Sequence, residues 1–73
     1  MAKNQPTAAQ IGEANAIMAL DQQSSYGSRE TAVAEYFDNI CDTLREASML
    51  NDANFAEASR AFYRYIDEEP AFT

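Results

Sequence analysis

The sequence predicts an all-α fold, a small three-helix bundle, and three observations lead there. Ala, the strongest helix former, fills 14 of 73 positions. Pro6, Gly27 and Pro70 fall at the edges of helical runs rather than within them. Between them the apolar positions Val33, Phe37, Ile40, Leu44 and Ala47 recur at the alternating three- and four-residue spacing of a packed helix.

The first helix is expected over about residues 8–23. Thr7-Ala8-Ala9-Gln10 has the form of a capping box, in which the Thr hydroxyl accepts from the amide at the third helical position and Gln10 reaches back. At 100° per residue Ile11, Ile17 and Met18 share an arc, and Leu20 lies about opposite Ile11. Ala9, Gly12, Ala16 and Ala19 gather on another face. Small residues there either fill a half-exposed helix or let a neighbouring helix approach closely.

Ser24-Ser25-Tyr26-Gly27-Ser28 is a polar break, and Ser28 is a suitable N-cap with Glu30 in the first turn, where a negative charge meets the positive helix end. The second helix is placed at about residues 29–49, its apolar seam widened by Tyr36 and Cys41. Asn51 or Asp52 then caps a third helix at about residues 52–69. With Asn51 as the cap, Leu50 and Phe55 occupy the positions of a hydrophobic staple. Phe55, Ala58, Phe62, Tyr65 and Ile66 share one face of that helix, and Pro70 stops it. The second and third helices should form an antiparallel hairpin beside the shorter first one, with a dimer as the alternative way to complete the core. Residues 1–73 are read as a single helical domain with flexible ends at 1–6 and 70–73, Phe72 folding back on the bundle.

The core must be thin. Leu, Ile, Val and Phe supply only 12 of the 73 residues, and a formal charge of -7 adds self-repulsion, the composition usually associated with disorder. Ala loses no side-chain entropy on folding, so marginal helical folding is the expectation.

Composition argues against most chemistry. There is no His to serve as general acid or base near neutral pH. Cys41 lies mid-helix on the apolar arc with no adjacent base and reads as a small buried hydrophobe. The two Gly residues are too far apart for a phosphate loop, and Zn or EF-hand ligand spacing is missing. The expectation is a non-enzyme with no metal and no cofactor. One Cys is no disulfide framework, the N-terminal residues lack a signal-peptide pattern, and no run of about 20 apolar residues could span a bilayer, so a cytoplasmic protein without a membrane partner is expected.

Two surface features carry functional content. Glu35, Asp38, Asp42 and Glu46 stand on one outer face of the second helix, a ridge of roughly 16 Å at 1.5 Å per residue, interrupted only by Arg45. Such a row is either a solvated face or a set of charges spaced like phosphates along a nucleic-acid strand, able to attract a basic groove on another protein. Phosphate would repel it, which speaks against direct nucleic-acid binding by the short-turn helix pair. The third helix nearly neutralises itself through Glu57 with Arg60 and Arg64 with Glu68. There Arg60, Tyr63 and Arg64 make a second candidate contact patch, since Tyr and Arg are favoured at interface hot spots, unless the tyrosines simply rim the core. Tyr26, Tyr65 and Phe72 are the other aromatics expected to stay partly exposed.

In size and charge the chain resembles, as a class, the tiny acidic inhibitors encoded by phages and mobile elements. The leading expectation is therefore an acidic interaction protein that binds a basic surface of a larger protein, a nucleic-acid-binding one being the natural candidate, as a nucleic-acid mimic. The alternative is a structural or regulatory homodimer that uses the small-residue face of the first helix and the exposed aromatics, its acids conferring only solubility.

Overall fold

Each helix starts at a side chain that holds its free amides. In the computed structural model, which describes residues 6–68, α1 (Ala8–Asp21) opens with the expected capping box: Gln10 N–H donates to Thr7 Oγ1 at 3.1 Å and Thr7 N–H to Gln10 Oε1 at 2.9 Å. Ser28 caps α2 (Arg29–Glu46) by accepting from Thr31 N–H at 3.1 Å. Before α3 (Asp52–Glu68), the Asn51 side chain accepts from Asn54 N–H at 2.7 Å, and Asn54 Nδ2 returns a bond to the Met49 carbonyl at 2.7 Å. The described residues contain no strand. The expectations for residues 1–5 and 69–73, including the end of the third helix at 69 and the folding back of Phe72, lie outside the described residues.

Two helices end earlier than their periodicity suggests. α1 stops at Asp21, where Gln22 N–H bonds the Met18 carbonyl and a run of turns leads to Gly27 at φ 88°. α2 stops at Glu46 because Ser48 adopts φ 61°. Met49 N–H then reaches the Leu44 carbonyl at 2.8 Å and Ser48 N–H the Arg45 carbonyl at 3.0 Å. That bond pair is a Schellman ending, with Ser at the left-handed position Gly usually occupies.

The core is built around α1. Its interface with α3 is the most extensive of the three helix pairs, that with α2 is next, and α2 and α3 meet least. Small residues explain why α1 comes first. Gly12, Ala16 and Ala19 are buried, and a Cβ placed on Gly12 would stand 2.0 Å from the Ala58 carbonyl oxygen. The two backbones are therefore in direct contact, which only Gly permits. Ala8, Ile11, Ala32, Ile40, Leu44, Ala58, Phe62 and Ile66 complete the buried cluster.

This arrangement corrects several expectations. The arc shared by Ile11, Ile17 and Met18 is not buried as a unit: Ile11 joins the alanines in the core, while Ile17 is 46% and Met18 42% exposed. Of the small-residue face, Gly12, Ala16 and Ala19 are enclosed within the chain and are not free to form a dimer, while Ala9 stays partly exposed. Cys41 is only half-buried, at the margin of the seam. Leu50 is 43% exposed, whereas Phe55 turns inward to pack on Phe37, their ring centroids 5.7 Å apart.

Two polar contacts fix how the helices meet. Asn15, 1% exposed, donates to the Ile11 carbonyl at 3.0 Å and accepts from Asn39 Nδ2 on α2 at 2.8 Å. A buried amide left without that partner would cost about 1–3 kcal/mol, so the pair selects one register of α1 on α2. At the far end Arg29 donates to the Ile66 carbonyl at 2.8 Å, placing a positive charge against the C-terminal turn of α3.

Candidate functional site

The register set by Ile40 and Leu44, both fully buried, turns the opposite arc of α2 to solvent. Glu35, Asp38, Asp42 and Glu46 are all exposed on it. Asp42 accepts from Arg45 Nη1 at 2.9 Å, with both side chains more than half exposed. Such a pair contributes about 0–1 kcal/mol and leaves the row strongly negative. The remaining carboxylates, one or two turns apart, repel their neighbours by a few tenths of a kcal/mol each.

The second candidate patch divides. Tyr63 leans toward α2, its ring centroid 5.3 Å from Phe37 and 5.2 Å from Phe62, yet it stays 45% exposed. Arg60 and Arg64 instead line the groove between α3 and α1, with Ala9, Glu57 and Ala61. Arg64 approaches Glu68 at 3.7 Å, the pairing expected from their spacing. Among the described residues Glu57 and Arg60 form no ion pair within 4.0 Å. The three residues are thus exposed together, but Tyr63 faces a different neighbour from the two arginines.

A further surface feature was not evident from the spacing on any one helix. Met18 of α1, Tyr26 of the intervening loop, and Glu35, Tyr36 and Asn39 of α2 line an open cavity of about 340 Å³. The rings of Tyr26 and Tyr36 stand nearly perpendicular, at 83°, with centroids 6.0 Å apart. Partial burial raises the Tyr26 hydroxyl above its ordinary pKa, and the neighbouring Tyr36 and the charge of Glu35 act in the same direction. Glu35 belongs both to this cavity and to the ridge, so the two features adjoin. The loop aromatic was recognisable as exposed, but its partner depends on how α1 packs across α2.

Among the described residues no group of three or more His, Cys, Asp or Glu side chains could hold a metal ion, and no helix is long and apolar enough to cross a membrane. Compared with protein-family models, with curated proteins and with solved structures, the chain finds no match.

Proposed function

We propose that the chain is a small acidic, non-enzymatic interaction protein whose α2 ridge docks on a basic surface of a larger protein, as an inhibitor that competes there with nucleic acid. One observation carries this reading: Glu35, Asp38, Asp42 and Glu46 form an exposed row, interrupted only by Arg45, on a helix whose opposite side is anchored by Ile40 and Leu44. A helix held on one side presents its charges at fixed intervals of about 4.5–6 Å, comparable with phosphate spacing. Arg29 on Ile66 and the cap at Asn51 support an antiparallel course of α2 and α3, and the packing of α2 on α1 is what holds the ridge in place. In size and acidity the chain resembles phage and mobile-element inhibitors as a class, and on this reading it acts in the cytoplasm on a nucleic-acid-binding protein.

The test is affinity capture from a host lysate at low and high salt, with the parent chain and the Asp38→Asn, Asp42→Asn double variant. The partner should be a basic protein released by salt, weakened by the double substitution and displaced by DNA. Equal recovery of the same partner under all these conditions would end the electrostatic reading.

A second reading, a homodimer, is favoured by the exposure of Ile17, Met18, Tyr26, Leu50 and Tyr63. In that case the acidic face serves solubility only. A mass measurement that finds a monomer at every concentration removes it.

A further inference from the structure

The geometry points to the cavity between Met18, Tyr26 and Tyr36 as the seat of one arginine side chain from the basic partner, an inference that rests on the ridge reading and names the partner group it would anchor. The walls are of the right kind. Two aromatic rings 83° apart with centroids separated by 6.0 Å form a corner, and a cation over a Tyr face within about 6 Å of the ring centre is attracted by the ring quadrupole. Met18, 42% exposed, supplies a polarisable thioether against which an aliphatic stem can lie.

The polar groups of the cavity are all suited to a donor. Glu35 contributes a carboxylate. Asn39 uses its amide nitrogen on Asn15 Oδ1 at 2.8 Å, which leaves its own Oδ1 as an acceptor. No basic residue lines the cavity, so its charge is unbalanced locally and complements a cation from outside. Guanidinium fits better than ammonium, because it is planar, stacks on aromatic faces and carries five donors for separated acceptors. Since Glu35 is also the first carboxylate of the ridge, a partner strand or helix lying along α2 would bring a basic side chain to the cavity as it meets the row.

The experiment is an NMR titration of the full chain, following the Tyr26 and Tyr36 ring signals and the Met18 methyl. The probes are N-acetyl-arginine methylamide, its neutral isostere N-acetyl-citrulline methylamide, and an oligoarginine peptide. The arginine amide should move these signals, and the citrulline amide should bind at least roughly threefold more weakly. Tyr26→Ala alters a loop residue outside the core and should weaken the arginine amide by a similar factor. Glu35→Gln should also weaken it.

Equal response to citrulline, shifts confined to the backbone of residues 38–46, or indifference to Tyr26→Ala would overturn the assignment. Movement of the tyrosine signals on protein dilution alone would show a second copy in the cavity and overturn it as well. The ridge is tested separately. Asp38→Asn with Asp42→Asn should lower oligoarginine affinity while the arginine amide still moves the cavity signals. Loss of the cavity response with the ridge effect intact defeats only the arginine seat. The reverse result defeats only the ridge.

Discussion

Replacing Gly12 by Ala is the sharpest test of the packing. The added Cβ would lie 2.0 Å from the Ala58 carbonyl oxygen, 2.7 Å from its carbon and 2.9 Å from its Cα, all backbone atoms that no rotamer change can move. Ordinary contact begins at 3.4 Å, so α1 must withdraw from α3 by about 1.4 Å. A radial gap of even ~0.5–1 Å forfeits a quarter to a half of each dispersion contact, and Ala8, Ile11 and Ala58 would feel it directly. Overpacking usually costs about 1–3 kcal/mol, and a backbone obstacle belongs at or beyond the top of that range. Helix propensity works the other way, Ala being better than Gly by about 1 kcal/mol. The net loss should be about 2–3 kcal/mol, from a total of roughly 4–11 kcal/mol for a chain of this length. At ~4–8 °C per kcal/mol, Tm should fall by about 10–20 °C in thermal unfolding followed by circular dichroism. Gly27→Ala is the control, because φ is +88° but nothing lies within 4 Å of the new Cβ. It should lose only about 1–2 kcal/mol from backbone strain. If Gly12→Ala proves as stable as the parent, propensity has won, and the close approach of α1 to α3 is wrong.

Ser48→Gly should stabilise the chain by about 0.5–1 kcal/mol, since Ser48 is exposed at φ 61° and relief of left-handed strain outweighs the added freedom of the unfolded chain; an unchanged or lower urea midpoint would contradict the Schellman ending. For the polar tie, a double-mutant cycle of Asn15→Ala and Asn39→Ala should return a coupling of about 0.5–1.5 kcal/mol, and strict additivity would show that the 2.8 Å bond contributes nothing. Arg29→Met removes the bond to the Ile66 carbonyl, so amide exchange in the last turn of α3 should accelerate about two- to fivefold while that of α1 is unaffected. Raising salt should increase Tm modestly by screening the -7 charge, and a monotonic fall would show that the ion pairs outweigh the repulsion among the acids.

The helices were legible because their signals are local. The Thr7–Gln10 box, the Ser28 cap and the amides around Asn51 depend on residues three apart, and all are seen. The outward direction of the ridge was equally legible, since it follows from helical phase once Ile40 and Leu44 are inside. Which pair of helices packs most closely was not. A large-residue seam draws attention to α2, but the tightest contact lies where side chains are smallest, and a Gly against an Ala backbone leaves almost no hydrophobic signature. Asn15 was obscure for the same reason: on the line from Ile11 to Ala19 it looks like an interruption, and only the position of Asn39 turns it into a tie. The early end of α2 leaves no sequence signal because Ser is seldom the residue at a left-handed C-terminal position.

The thin core and the excess of acid, which look like two separate warnings in the composition, have a common physical resolution. Close backbone contact at Gly12, together with the small buried side chains of Ala16 and Ala19, lets α1 bury against both other helices with few large side chains. α2 and α3 therefore need little contact with each other, and the outer arc of α2 is released from any duty in the core. Charge can collect there because each unfavourable neighbour costs only tenths of a kcal/mol in water. If the ridge docks as proposed, the same carboxylates respond to salt with opposite signs in the two processes: screening them favours the folded chain and would disfavour a complex with a basic partner. A surface kept only for solubility has no second process to oppose the first, so the sign of the salt effect on binding, measured beside that on stability, separates a working ridge from a merely solvated one.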